Sequence, residues 1–150
     1  MTRLRSTSAF VSGILTLVAC GSGAATQAAQ SPVREVCEVS FEAPEGFEPL
    51  EPFEERYPDR VGIRLGFRDA QGRELHAFAG IPGEFGEGLA DAGTLDLAAG
   101  RTGQLAGGAH RVWVVTWEED DLCDPRAVLG SGFDREGFIA ALELAGVISA

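Results

Sequence analysis

Residues 61–81, VGIRLGFRDAQGRELHAFAGI, contain the clearest periodic pattern of the chain. In the first half, Gly or Arg alternates with four apolar residues, which are Val61, Ile63, Leu65 and Phe67. This period of two is typical of a β-strand with one buried face. The sequence DAQG at residues 69–72 favours a turn, and RELHAFAGI resumes the extended pattern. We therefore predict a β-hairpin over residues 60–81.

Further strands are predicted on either side of this hairpin. Residues 100–117, GRTGQLAGGAHRVWVVTW, are predicted to form a second hairpin that turns near Gly107 and Gly108. Its second half is apolar on both sides, which favours a central strand or one with both faces covered. The segments VREVCEVSF, residues 33–41, and RAVLGSG, residues 126–132, are predicted as single strands.

The intervening segments carry weaker signals. Residues 43–59 contain several prolines and many acids, so we predict a loop with at most one helical turn. Residues 82–100 are rich in glycine, and a short helix over residues 84–92 is an open alternative that two of its glycines disfavour. Residues 118–125, EEDDLCDP, are predicted to form an acidic loop.

The chain ends in the one helix that the sequence predicts. Asp134 is placed to cap its first turn, and Phe133 and Phe138 have the spacing of a hydrophobic staple. An apolar face follows as far as Gly146, which favours a C-terminal stop. The predicted fold class is α+β: an antiparallel sheet of about five or six strands packed by one C-terminal helix. A single domain over residues 33–150 is expected.

The charge of the chain limits its partners. Its 12 basic residues are all arginines and face 23 acidic residues, so the net charge is −11. Binding to nucleic acid or to an anionic membrane surface requires clustered positive charge. We therefore expect neither of these partners.

The first 19 residues have the features of an export signal. Arg3 and Arg5 precede a largely apolar stretch, AFVSGILTLVA, at residues 9–19. This stretch is shorter than the about 20 residues of a membrane span, and it ends in small residues, as a signal peptide does. A buried N-terminal helix is the alternative, but the GSGAATQAAQS that follows has almost nothing to bury.

The sequence LVAC at residues 17–20, followed by Gly21, resembles the lipobox of bacterial lipoprotein precursors. The resemblance implies that the thiol of Cys20 carries a diacylglyceryl group, that cleavage occurs before it, and that the new N-terminus is acylated, for example with palmitate. Residues 1–19 are then the signal peptide and residues 20–32 a flexible tether. The domain is expected outside the cytoplasm, held to the bacterial cell membrane by its lipid anchor. Ordinary secretion, with cleavage within residues 19–29, remains the alternative.

Two cysteines remain once Cys20 carries lipid. In an exported domain two such cysteines usually pair, so we predict a disulfide between Cys37 and Cys123. Two buried free thiols are the alternative.

Residues suited to chemistry are few and lie outside any recognisable motif. The acidic run of residues 118–124 lacks the ligand spacing of a calcium loop, and GRTGQLAGG lacks the lysine of a phosphate-binding loop. His76 and His110 are the only histidines, and neither has a nucleophile in a known arrangement. We therefore predict no catalytic residue, no metal site, no cofactor and no enzymatic activity.

Binding to another molecule is the remaining function class. Trp113 and Trp117 are expected to share one strand face, as core residues or as an interaction surface. The acidic loop offers four more candidate interaction residues: Glu118, Glu119, Asp120 and Asp121. We predict a non-catalytic domain that binds a protein or an envelope component, with a basic protein as the candidate partner. The alternative is a carrier of a small apolar ligand with a pocket between sheet and helix.

Overall fold

The computed structural model describes residues 35–148, so Cys20, the predicted signal peptide and the tether lie outside the described residues. Most of the domain is one β-sheet, and its only α-helix in this range is at the C-terminal end. The strands and the helix are β1 (Glu35–Val36), β2 (Phe47–Pro49), β3 (Phe53–Arg56), β4 (Arg60–Asp69), β5 (Glu74–Ala79), β6 (Ala90–Leu97), β7 (Arg101–Gly107), β8 (Val112–Trp117), β9 (Arg126–Ser131) and α1 (Arg135–Leu144). No helix in residues 35–148 is long and apolar enough to cross a membrane.

The sheet is mixed and has nine strands, in the order β1-β4-β5-β9-β8-β7-β6, with β2 and β3 also paired to β4. Every pair is antiparallel except β1 with β4, which runs parallel with Val36 opposite Val61. The prediction of a mostly sheet domain with a C-terminal helix is confirmed. The prediction of a purely antiparallel sheet of five or six strands is wrong. The strands β2, β3 and β6 were not predicted, and neither was the parallel pairing of β1 with β4.

Both predicted hairpins are confirmed. The strands β4 and β5 pair from Ile63–Ala79 to Arg68–Glu74, and β7 and β8 pair across the turn that follows Gly107. In the first turn the Asp69 carboxylate accepts hydrogen bonds from the backbone N–H of Gln71, at 2.9 Å, and of Arg73, at 2.8 Å. The strand β8 lies between β7 and β9. Trp113 and Val115 face the core under the helix, and the segment around Gly86 covers Val114 on the other face, which explains why β8 is apolar on both sides.

Three strands lie where no strand was predicted. The strands β2 and β3 interrupt the predicted loop of residues 43–59, and every side chain of β3 is exposed. The strand β6 occupies part of the glycine-rich segment, and the short helix considered at residues 84–92 does not form. Gly86 and Gly88 adopt positive φ angles of 91° and 75°, which end a right-handed helix.

The segment predicted as a strand over residues 33–41 pairs only at β1. Its last backbone bond to β4 runs from the N–H of Cys37 to the carbonyl of Val61, at 3.0 Å. Beyond this point Val39 and Phe41 still turn inward, and the Phe41 ring stacks on Phe67 with centroids 5.1 Å apart. The predicted alternation of buried and exposed residues is therefore present without strand pairing.

The helix has the predicted ends and packs on one face of the sheet. The Asp134 carboxylate accepts a hydrogen bond from the N–H of Gly137, at 2.8 Å, and the rings of Phe133 and Phe138 lie 6.2 Å apart. Gly146 follows the helix with a φ of +72°. The main core lies between α1 and the sheet, and its largest members are Phe133, Phe138, Leu75, Leu105, Leu142, Val115, Val128 and Trp113.

The predicted disulfide between Cys37 and Cys123 is present, with Cα atoms 5.4 Å apart. Both cysteines are only 2% exposed. The backbone N–H of Gly80 donates to the carbonyl of Cys123 at 2.6 Å. The disulfide therefore joins the segment after β1 to the acidic loop beside the end of β5.

Candidate functional site

A cavity of about 240 Å³ lies on the same sheet face as the helix, at the end of the sheet that the helix leaves uncovered. Its walls are residues 38–41 and the turn at Gly146 and Val147. The cavity exists because Ala77 and Ala79 are small and leave space above the sheet. Its charged lining comes from Glu38, Arg101, Glu119 and Arg126, and its aromatic lining from Phe41, Phe78 and Trp117.

Strand pairing brings the cavity residues together. Arg126, at the start of β9, is the register partner of both Ala79 on β5 and Trp117 on β8. Directly paired residues in a sheet point to the same face. Residues that are far apart in the sequence therefore meet at one position of the sheet.

Arg126 holds the acidic loop in place. Its guanidinium donates to Asp121 at 2.8 and 3.0 Å and to Asp124 at 2.9 Å, and it lies 3.4 Å from Glu119. The hydrogen bond from Arg126 lowers the pKa of the Asp121 carboxyl. The same bond, with the surrounding carboxylates, raises the pKa of Arg126 above its usual value. The charge of this arginine is thus surrounded by three acids.

The loop of residues 118–125 is also bonded to itself. The Asp124 carboxylate accepts from the backbone N–H of Glu119, at 2.9 Å, and of Asp121, at 3.2 Å. The Asp121 carboxylate accepts from the N–H of Cys123 at 2.8 Å. The segment is therefore an ordered loop whose carboxylates are largely engaged within the domain.

We expect this ion cluster to make stability depend on acid pH. The pKa of Asp121 is lower in the folded protein than in the unfolded chain, so its contribution is present above the unfolded pKa of about 4 and is lost as the pH falls through the folded pKa. Because its side chain is 37% exposed, solvent screening limits this contribution to about 0.5–1 kcal/mol. Urea unfolding between pH 7 and pH 2 should show a smaller loss of stability for Asp121→Asn than for wild type.

The control for this measurement is Asp120→Asn, because Asp120 is exposed and has no ion pair within residues 35–148. It should follow the wild-type curve. Parallel curves for wild type and Asp121→Asn would contradict the role given to Asp121.

The candidate interaction residues divide into four groups. Trp113 is 8% exposed, and its Nε1 donates to the carbonyl of Phe133 at 3.2 Å, so this side chain belongs to the core. Trp117 shares its sheet face but is only half-buried and lines the cavity. All four acids are exposed, but Glu119 and Asp121 are paired with arginines, whereas Glu118 and Asp120 form no ion pair with a described residue.

The two histidines lie apart from the cavity lining. His76 is on β5 between two residues of the core face, so its side chain points to the opposite face. Its Nε2 lies 3.0 Å from Glu74, and its buried Nδ1 has no hydrogen-bond partner in the described structure. The hydrogen bonds from His76 and Arg68 lower the pKa of the Glu74 carboxyl. His110 is exposed in the turn between β7 and β8.

Sequence reasoning did not identify Arg101 and Arg126 as members of a site. Arg126 is adjacent to the acidic run, which is a signal that could have marked it as a counter-charge. Arg101 is 18 residues from its partner Glu119, and no local pattern connects the two.

Within residues 35–148, no group of three or more His, Cys, Asp or Glu side chains is arranged to hold a metal ion. Comparison with protein-family models, with curated proteins and with solved structures finds no match for this chain.

Proposed function

We propose that the chain is a lipoprotein, anchored to the bacterial cell membrane through Cys20, whose domain binds a basic partner protein of the cell envelope without catalysing a reaction. The anchoring part is supported by LVAC at residues 17–20, preceded by a basic start and a short apolar stretch. The binding part is supported by the distribution of charge over the domain.

Residues 35–148 contain nine arginines and 23 acidic residues, which leaves a charge of −14. Glu119, Asp121 and Asp124 of the acidic loop form ion pairs with Arg101 and Arg126. By contrast, five glutamates along β2 and β3 are exposed and form no ion pair with a described residue: Glu45, Glu48, Glu51, Glu54 and Glu55. We name these five residues the acidic edge.

The acidic edge is the observation that carries the proposal. Exposed carboxylates that form no ion pair attract a positively charged protein over a distance of about one Debye length, and they thereby raise the association rate. The carrier alternative has less support, because the cavity is smaller than the about 300–1,000 Å³ of typical ligand pockets and is lined by charged side chains.

The experiment measures association of the purified full-length protein with a partner identified by crosslinking in native membranes. Replacing Glu48, Glu51, Glu54 and Glu55 by Gln should lower the association rate about tenfold or more at 0.05 M salt. The difference should nearly vanish at 0.5 M salt, where the Debye length falls from about 14 to about 4 Å. A rate unchanged by the substitutions would refute the acidic edge as the steering surface.

The matched control replaces four other exposed glutamates by Gln, so its net charge equals that of the test variant. These residues are Glu84, Glu87, Glu136 and Glu143. This variant should retain most of the wild-type rate.

The lipid anchor is tested in cells that express the full-length chain. The wild-type protein should partition into detergent, while Cys20→Ala remains uncleaved or is released. Release of the wild-type protein into the medium would refute lipidation.

A further inference from the structure

One wall of the cavity already holds a guanidinium group, which is supplied by the chain itself. The guanidinium of Arg101 lies over the Trp117 ring, 5.8 Å from its centroid. Its Nη1 donates to the Glu119 carboxylate, and the Trp117 Nε1 donates to the same carboxylate at 3.2 Å. An aromatic face beside a carboxylate is an arrangement by which proteins bind guanidinium ions.

The charges at the cavity favour a cation over an anion. Both terminal nitrogens of Arg126 already donate to Asp121 and Asp124. Arg101 is engaged by the carbonyl of Ala98, at 2.8 Å from its Nε, as well as by Glu119. An anion would therefore have to displace bonds that exist. Glu38, in contrast, lines the cavity, is exposed, and has no ion pair among the described residues.

The space beside this charged wall has the size for one long side chain. The floor is formed by Ala77, Ala79 and Val128, all of which are apolar. An arginine can place its methylene groups on such a surface while its guanidinium remains among polar groups. The volume of about 240 Å³ matches a single side chain better than a drug-sized ligand.

We propose that this cavity binds the side chain of one arginine of the partner protein, whose guanidinium replaces Arg101 on Trp117 and pairs with Glu119 and Glu38. The inference rests on the proposed function, because it specifies how a basic partner is held after the acidic edge has attracted it. Arg101 then acts as an internal competitor that keeps the site filled when no partner is bound.

Two tryptophans make the exchange observable in the purified full-length protein in detergent. The probe is an acetylated, amidated pentapeptide with one arginine between two pairs of glycines. The ¹⁵N–¹H signal of the Trp117 indole should shift and saturate as the probe is added, and that of the buried Trp113 indole should stay in place. The same peptide with citrulline, a neutral relative of arginine, should bind about tenfold more weakly.

Single substitutions test whether Arg101 competes for the site and whether Glu38 pairs with the bound arginine. Arg101→Met should tighten binding of the arginine peptide by about fivefold, because the site is no longer occupied by its own side chain. Arg135→Met, on the exposed start of α1, should leave binding unchanged. Glu38→Gln should weaken binding about threefold, and Glu42→Gln, on the exposed side of the same segment but outside the cavity lining, should leave it unchanged.

Equal binding of the citrulline peptide, an unshifted Trp117 signal, or unchanged or weaker binding by Arg101→Met would each overturn this inference. These outcomes differ from failure of the proposed function. A partner whose steering depends on the acidic edge, but whose affinity is the same for wild type and Trp117→Leu, would support the function and overturn the arginine site.

Discussion

Replacing Gly130 by alanine is expected to lower the free energy of unfolding by about 2–4 kcal/mol. Gly130 lies on β9 and faces the helix. A Cβ atom there would be 2.5 Å from Cδ2 of Phe138 and 3.1 Å from the ring of Phe133. Both rings are fully buried, and the capped first turn of α1 fixes the position of Phe138. The helix would have to move away from the sheet, which urea unfolding would register as a lower midpoint.

The control for this substitution is Gly83→Ala. Gly83 has an ordinary φ angle, and the nearest atom to the added Cβ, in the Phe85 ring, is 3.6 Å away. The stability of the protein should therefore change little. The double variant Gly130→Ala/Phe138→Leu should lose less than the sum of its single variants, because the smaller side chain makes room. Wild-type stability of Gly130→Ala would show that the sheet and helix are not packed as described.

Removing the disulfide by Cys37→Ala with Cys123→Ala is expected to cost about 4–5 kcal/mol of stability. The two cysteines are 86 residues apart, so their bond greatly restricts the unfolded chain. Native-state strain would reduce this value. Guanidinium unfolding of the double variant should therefore show a much lower midpoint than that of the oxidised wild type.

Reduced wild-type protein is the control, because it lacks the bond but keeps both sulfur atoms in the core. Its loss of stability should match that of the double variant to within about 1 kcal/mol. A loss below 1 kcal/mol in both proteins would contradict the importance of this bond. A loss in the variant alone would instead identify packing of the sulfur atoms against Gly80 as the stabilising contact.

The elements that the sequence predicts are those whose signals are local. Alternation identifies β4 with β5, and the cap and staple identify α1. The strands β3 and β6 were missed because most of their side chains are exposed, so no apolar period marks them. The parallel pairing of β1 involves two residues that meet a distant strand, and no nearby residue predicts such a contact.

The same distinction applies to the candidate site. Trp117 and Glu119 were selected from their own neighbourhood in the sequence, as an aromatic pair and an acidic run. Arg101 reaches them only through the pairing of β7 with β8, whereas Arg126 directly follows the acidic run and had a local signal that was not used. A cavity above small side chains also depends on what covers the sheet, which is a property of the tertiary structure. Composition and spacing therefore predicted a charged surface but not the place where it becomes concave.

The position of the Cys37–Cys123 disulfide also decides how the domain responds to mechanical force. A pull on the N-terminal chain enters the domain at β1, which has only two residues, and reaches Cys37 immediately afterwards. The disulfide transmits the force directly to Cys123 and to the acidic loop beside β5. Residues 38–41, which form the cavity wall, lie beyond this branch point and are relieved of part of the tension. A pull on the N-terminal side of the domain would therefore separate β1 from β4 before the cavity is deformed.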